Sequence, residues 1–529
     1  MTQAPFRSGP TTGDIYRNYD HIIRRVEAWI DQQGPHIPGC ENDQIKARLV
    51  QRIVELSADA YAQRAIDDAR AGASSTGQRA MSRITRAGGL AIGVETGKVR
   101  VTAGHCIREL ARFGLLWLHL LALLAIAIFR KSPRVSLPVT LLMDTPADID
   151  ESDERFVRFC RHGPIEPLAV ARHVIVQANK APRLTTDSSF HYAARPLIHL
   201  VVNFLQRSLR VRLLVRHLTA PFMYVYACLV CPLTVLLGRD IYVLPVMRWL
   251  DAAELVQSVL ITTSSFVSQP LWMKGIVNQK SRLHMLWYSQ NFIPKMYVGE
   301  QTRSDLPSAR HMRADVHWVW TEGFASYLKK LGQTSQMRVV GPILWYLPER
   351  VSDLGQESIK IALFDVTPLP DGRTSFAAAK NYYSVSTIRS FVADIVAACD
   401  KIEASSRREV LILLKHKRAP VSGHHDSTYI GFLDEMAQAR PNFRLIEHRT
   451  NLFGLLAECD LSISVPYTST AYVAAHLGKP AIYYDPFAEL VAQHEPNELV
   501  HFAAGVDELH QLMARCLNIS LESRVLKAQ

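Results

Sequence analysis

Two short stretches near the C-terminus carry side chains that could hold phosphate. One is Lys415-His416-Lys417-Arg418, which follows the aliphatic run "EVLILL". The other is Pro466-Tyr467-Thr468-Ser469-Thr470, which lies between "DLSISV" and "AYVAAHLG". Lysine and arginine give charge-assisted hydrogen bonds to phosphate oxygens, so a dense basic cluster suits a diphosphate or phosphodiester. Consecutive hydroxyls at the start of a helix add to main-chain amides that have no intrahelical partner, at the positive end of the helix dipole. Together they make a phosphate cradle. Pro466 forces the turn, and Gly478 ends the helix that the turn opens. The plainer alternatives are an ordinary helix cap for the hydroxyls and a solvated strand end for the basic run.

Candidates for proton transfer and for other ligand contacts are more scattered. "TTDSSFHY" groups Asp187 with His191, "WYSQNFIP" supplies Ser289, Gln290 and Asn291, and "WTEG" supplies Glu322. Asp187 is the first candidate for a general base, and Glu322 the second. A turn or helix cap is the alternative role for Asp187. Thr367 and Glu447 follow two apolar runs of the C-terminal region and could reach a ligand there. His424, His425 and Asp426 lie in a loop-like stretch and read as solvated. No metal and no cofactor is expected. Eight cysteines are scattered without a disulfide-like spacing, which points to a reducing compartment. Cys228 and Cys231 form a C-x-x-C inside an apolar run and read as packing residues.

The elements that must position these groups alternate between strand and helix. Residues 1–100 read as a mostly helical extension. Strand-like runs then occur at 135–144, 173–178, 255–265, 284–290, 316–323 and 337–343, which makes 101–345 a first α/β domain. A linker is expected over 346–358. From 359 to 529 five strands alternate with helices, the pattern of a doubly wound parallel sheet. In such sheets ligands bind beyond the carboxyl ends of the strands, where Lys415, Thr367, Glu447 and Pro466 fall. Two Rossmann-like domains in tandem with a helical N-terminal extension are therefore expected from the 529 residues.

Two apolar stretches complicate a soluble reading. Residues 113–129 and 221–237 each carry arginines at or near their ends. At about 1.5 Å per helical residue the first reaches roughly 25 Å, short for a bilayer crossing. A hairpin through the membrane would export the arginine-rich 130–220, against the positive-inside bias. Attachment at a membrane surface and burial in a core both remain open. The net charge of +11 favours an anionic partner. No basic–aromatic motif supports nucleic acid. The N-terminus has no signal-peptide core, so a cytoplasmic protein at the inner face of the membrane is expected.

The stretch "SVPYTSTAYVAAHLGKPAIYYDP" resembles the signature of bacterial polysaccharide-biosynthesis proteins named for a P-F-T-S motif, with Tyr467 standing where that motif has Phe. More distantly, the strand–turn–helix followed by "GKPAI" is similar to the nucleotide-binding half of GT-B glycosyltransferases, including the Kdo and CDP-glycerol types. Those families often carry Lys-x-His-Pro at the second strand exit, where this chain has Lys415-His416-Lys417-Arg418. The resemblance implies a metal-independent glycosyltransferase of surface-polysaccharide biosynthesis. Its C-terminal domain would bind a nucleotide-sugar donor, with CMP or UDP as nucleotide, and its N-terminal domain a lipid-linked or polysaccharide acceptor. Two alternatives stand beside it: a polymer phosphotransferase using a CDP-alcohol, and a non-catalytic nucleotide-binding scaffold at the membrane surface.

Overall fold

A computed structural model of the chain describes residues 12–70, 89–143, 152–262, 269–289, 296, 298, 310–343, 357–366, 368, 385–416, 426–448, 450–492 and 497–519. The chain forms two compact units. The first is built mainly from Asp14–Tyr288 and Asp305–Tyr346, the second mainly from Ser289–Ser304 and Leu347–Gln529. The linker expected over 346–358 lies largely outside the described residues.

The N-terminal extension is helical over Thr12–Gln33 and Asn42–Arg70. It packs onto the first unit through a buried ionic network: Arg48 reaches both Glu55 (2.8 Å) and Asp240 (3.1 Å). It also contains what the periodicity did not show, an antiparallel hairpin of β1 (Leu90–Ile92) and β2 (Val99–Val101). Gly97, at the turn, adopts φ +65°, which a glycine accepts without steric cost.

The core of the first unit is a parallel sheet of seven strands: β3 (Val139–Leu142), β4 (Val174–Gln177), β5 (Phe190–Ala193), β6 (Val256–Thr262), β7 (Arg282–Leu286), β8 (Val316–Val319) and β9 (Gln336–Val339). Their order is β5-β4-β3-β6-β7-β8-β9, every pair parallel. The six expected runs all form strands. The seventh, β5, falls in the stretch read only as a cluster of polar candidates. Residues between β5 and β6 form a helical insertion rather than a single crossover helix. It holds the helices Arg207–His217 and Ala220–Val230 and a buried 3₁₀ turn, Pro232–Leu237. Pro232 therefore breaks the apolar stretch 221–237 into two elements.

The second unit has six parallel strands, one more than expected: β10 (Ile359–Phe364), β11 (Val410–Lys415), β12 (Phe443–Ile446), β13 (Leu461–Ser464), β14 (Ala481–Asp485) and β15 (Val500–Ala504). The order β12-β11-β10-β13-β14-β15 is that of a Rossmann sheet. β10, "IKIALF", is buried along its whole length, as a central strand covered on both faces must be. Burying each such aliphatic side chain contributes about 1.5–3 kcal/mol. The helix Val385–Ser406 covers one face with a stripe of Ile388, Phe391, Val392, Ile395, Cys399 and Ile402, which recur with the helical period.

Registration along the sheet places the strand exits level. Leu363 of β10 pairs with Leu414 of β11 and with Ile463 of β13. Lys415 and Ser464, each one residue further on, therefore flank Phe364 on its two sides. With strands about 4.8 Å apart, they stand about 10 Å from each other. The strand order reverses between β10 and β13, and this is where an open parallel sheet leaves its crevice.

Candidate functional site

The turn after β13 is held in a conformation that its sequence alone would resist. Tyr467 adopts φ +61°, a left-handed backbone that costs a non-glycine residue on the order of 1 kcal/mol. Packing over-determines it. The Tyr467 ring is 2% exposed, lies 5.6 Å from Tyr483 and 6.0 Å from Phe502, and its hydroxyl donates to the Val491 carbonyl at 2.8 Å. Tyr483 donates in turn to the Thr468 carbonyl at 2.8 Å. The tyrosine of the P-Y-T-S sequence thus faces the interior and shapes the turn. It is not itself placed to touch a ligand.

The hydroxyls after it do not cap the helix Ser469–His476. Thr468 stands at the capping position, yet makes no side-chain bond to the helix amides. Its hydroxyl donates backwards to Val465 O at 2.8 Å and lies 3.2 Å from the Thr470 hydroxyl. Two other helices of this unit have side-chain caps, while the helix Val506–Cys516, which starts behind Gly505, has none. Asp426 accepts from Thr428 N (2.9 Å) and Tyr429 N (3.3 Å), and Asn451 accepts from Gly454 N (3.0 Å). Ser469 meets the hydroxyl of Ser289 at 3.0 Å, so one predicted contact residue from 287–294 does reach the turn. Beyond that segment, Met296 and Val298 pair with the loop after β14: Val491 N donates to Met296 O and Val298 N to Glu489 O, both at 2.8 Å. That loop is fixed by the buried Asp485 carboxylate, which accepts from Leu490 N at 2.8 Å and Phe487 N at 3.3 Å.

At the neighbouring exits, Lys415 donates to His448 O at 2.8 Å and tethers the ends of β11 and β12. Burial pulls its ammonium below the ordinary value, against the opposing pull of the Asp365 carboxylate. Asp365, beyond β10, accepts from the buried Tyr429 hydroxyl at 2.6 Å. Burial, reinforced by Asp365, holds that phenol far above its usual range. His416 is 9% exposed, and its Nδ1 is buried with no hydrogen-bond partner among the described residues. A buried polar atom of this kind at a crevice calls for a ligand or water. Glu447 is exposed just beyond β12. Thr367, Lys417 and Arg418 lie outside the described residues, as do Gln290 and Asn291. Nothing in the sequence marked Tyr429 or Asp485, because their roles depend on strands distant along the chain.

The candidates in the first unit separate. Asp187 precedes β5, so it stands at the entry edge of that sheet, away from the exits where ligands bind. It pairs with Arg161 at 3.1 Å and accepts from Ser189 N at 2.8 Å. Burial raises its pKa, but the bonds from Ser189 and the Arg161 guanidinium outweigh that and hold it below the ordinary carboxylate value. These are the marks of a turn-fixing residue. His191, within β5, belongs to a packed group of His173, His199 and Phe204, with ring centroids 4.8–5.7 Å away. Burial and the neighbouring imidazoles lower its pKa to about 4. Glu322 is different. It is exposed directly after β8, at the first position of the helix Glu322–Lys330, whose cap Thr321 accepts from Phe324 N at 3.2 Å.

Among the described residues no group of three or more His, Cys, Asp or Glu is arranged to hold a metal ion. A D-x-D spacing, Asp148-Ile149-Asp150, lies outside the described residues. Cys228 and Cys231 are free thiols whose pKa burial raises, consistent with packing.

Two Rossmann-type parallel sheets in tandem, the second with a turn and helix start at its switch point, define the chain as an α/β protein. The profile of the polysaccharide biosynthesis PFTS motif protein family matches residues 223–513, more than half of the chain, and the chain belongs to that family. No curated protein matches it in sequence. Similar solved structures include the wall teichoic acid polymerase TagF, at 10% identity over 79% of this chain and 92% of that one, with a TM-score of 0.37. The UDP-GlcNAc 2-epimerase of Methanocaldococcus jannaschii aligns at 10% identity over 72% and 93%, with a TM-score of 0.35. S. aureus TarM aligns at 10% identity over 52% of each chain, with a TM-score of 0.32. The alignment thus spans about half the length of TarM, as it does for the pneumococcal O-GlcNAc transferase GtfA (53%). At TM-scores of this size these likenesses assign no activity to the chain.

Proposed function

We propose that this chain is a transferase of polysaccharide biosynthesis that takes a nucleotide-activated sugar as donor. Its second unit would hold the donor phosphates at the exits of β10, β11 and β13. The observation that carries this reading is the helix Ser469–His476, which begins behind a strained, packed turn and is left uncapped by the threonine at its capping position. Main-chain amides of its first turn, the Ser469 and Thr470 hydroxyls and the positive helix end would stabilise charge on the leaving nucleotide as the sugar departs. Lys415 would add its charge from two strands away, and Lys417 and Arg418 follow it in the chain. His416 Nδ1 would find a partner in the bound donor. The acceptor is assigned to the first unit, with Glu322 as the carboxylate that removes the acceptor hydroxyl's proton. The Asp187 assignment gives way to a structural one. Stabilisation of the charge without a metal remains part of this proposal.

The test is a thermal-shift screen with CMP, CDP, UDP, GDP and TDP, since a ligand that binds only the folded state raises its stability by mass action. One nucleotide is expected to raise the melting temperature, and the rise should vanish in Lys415→Ala and in Ser469→Ala with Thr470→Val. Turnover of the matching nucleotide sugar should be lost in Glu322→Gln, with the nucleotide shift unchanged. A chain that binds none of the five, or that turns over CDP-alcohols instead of sugars, would overturn the assignment.

A further inference from the structure

Two helical stretches of the first unit leave a series of large apolar side chains exposed. The helix Ala103–Phe129 turns His105, Glu109, Phe113, Leu120, Leu124 and Ala127 inward. Its opposite side carries Ile107, Leu110, Leu115, Leu118, Ile126 and Phe129, all exposed, Phe129 by 82%. Along the helices Arg207–His217 and Ala220–Val230, the exposed residues Val211, Val215, Leu218, Phe222, Val225 and Leu229 follow one another at alternating spacings of four and three, with Phe222 at 77% and Leu229 at 80%. Such spacing keeps a single stripe on one face of a helix. A stripe of this kind normally packs against protein, yet no described residue covers this one.

The two helical stretches lie antiparallel, side by side. Arg210 meets the end of the first helix, His217 its middle and Tyr224 its beginning. The Arg210 guanidinium is fully buried and donates to the carbonyls of Ala127 (2.6 Å), Arg130 (2.9 Å) and Lys131 (3.2 Å), and to Val202 (2.6 Å) and Leu205 (3.0 Å). Trp117 Nε1 donates to His217 O at 3.3 Å, and Phe113 stacks on Tyr224 at 4.1 Å. The pair is thus a fixed slab.

The charges around the slab have one sign. Arg108, Arg130, Lys131, Arg134, Arg207, Arg212 and Arg216 are exposed. Glu109, the sole acidic residue between 103 and 137, is 1% exposed and held by Arg112 at 2.9 Å, and residues 205–230 contain no acidic residue. We propose that this slab docks on an anionic lipid surface, lying in the interface with its apolar stripe among the acyl chains and its arginines at the headgroups. A second copy of the chain is a poor occupant, because self-association would bring cations against cations. A span is also a poor fit: Glu109 and its basic partners tie the beginning of the first helix to the protein, and its inner face is packed along its length. The inference is independent of the donor site.

Flotation with phosphatidylcholine vesicles, with and without phosphatidylglycerol, tests it. The protein should float with the anionic vesicles, float weakly with the neutral ones, and leave the membrane in alkaline carbonate. Phe222→Ser with Leu229→Ser should weaken vesicle binding on the order of tenfold for each side chain. Arg212→Glu with Arg216→Glu should weaken it about fivefold for each arginine and remove much of the salt sensitivity. Both variants change exposed positions, so melting and the nucleotide shift should match those of the parent. The charge variant carries the test if the apolar one fails to fold. No flotation of the parent, unchanged flotation of either variant, or retention through carbonate would overturn the proposal. So would a parent dimer that the serine variant makes monomeric.

Discussion

The two parallel sheets share an order for their first six strands and part company where the third strand hands the chain to the fourth. In the second unit that passage, from β12 to β13, is a short helix, Leu452–Glu458, and the strand then exits into the Pro466–Thr470 turn. In the first unit the same passage, from β5 to β6, swells into the helical insertion that supplies one side of the basic, apolar slab, the other side being Ala103–Phe129, ahead of β3. On the proposals above, one scaffold would be put to two uses. The second unit concentrates polar groups at its strand exits, and the first spends its extra chain on a surface away from the sheet. Fold alone does not separate these uses; the segments attached to the strands do.

Four measurements would break or sharpen that contrast. Largest is Arg210→Met, which strands up to five carbonyls beneath the helix ends and should cost about 3–5 kcal/mol. All eight tryptophans lie before residue 346, so tryptophan fluorescence in urea reports the first unit, and the nucleotide-induced thermal shift reports the second. The variant should lower the fluorescence midpoint and spare the shift; loss of both would mean the units do not act separately. Second is acid. Burial holds His284 and His317 of the first sheet near pKa 4, below the ordinary value of about 6.5. The unfolded chain then takes up protons that the folded chain refuses. Stability is full above pH ~6.5 and falls as pH drops towards 4, by about 2 kcal/mol at pH ~5 for the fully buried His317 alone. The fluorescence midpoint should follow. Third, Asp187→Asn should cost about 1 kcal/mol, the screened pair with Arg161 adding little, and leave turnover intact. A large loss of turnover would return Asp187 to the reaction. Smallest is Tyr467→Phe, which removes the bond to Val491 O for about 1 kcal/mol and should leave nucleotide binding unchanged.

Much of this was legible in the residues, and the gaps have physical causes. Buried central strands such as "IKIALF" announce themselves as unbroken aliphatic runs. The edge strands β5, "FHYA", and β15, "VHFAA", did not. Each is short, half exposed and interrupted by a histidine, so no apolar period is left to read. The β1–β2 hairpin was hidden by the helices before it, although Thr96-Gly97 is an ordinary turn signal. The hydroxyl turn was visible from its chemistry. The inward direction of Tyr467 was not, because its left-handed backbone depends on Tyr483 and Phe502, which come from other strands. Asp187 could be read either way because the same residue type serves turns and catalysis, and only the direction of β5 decides which edge it occupies.

The Arg210 latch has one more consequence. A peptide that becomes helical only on meeting a bilayer must give up chain freedom at that moment. Here the two helices are already aligned in solution, so attachment would need no refolding. Residence at the membrane would then follow the lipid composition beneath the protein, rising and falling with headgroup charge while the enzyme's own shape stays constant.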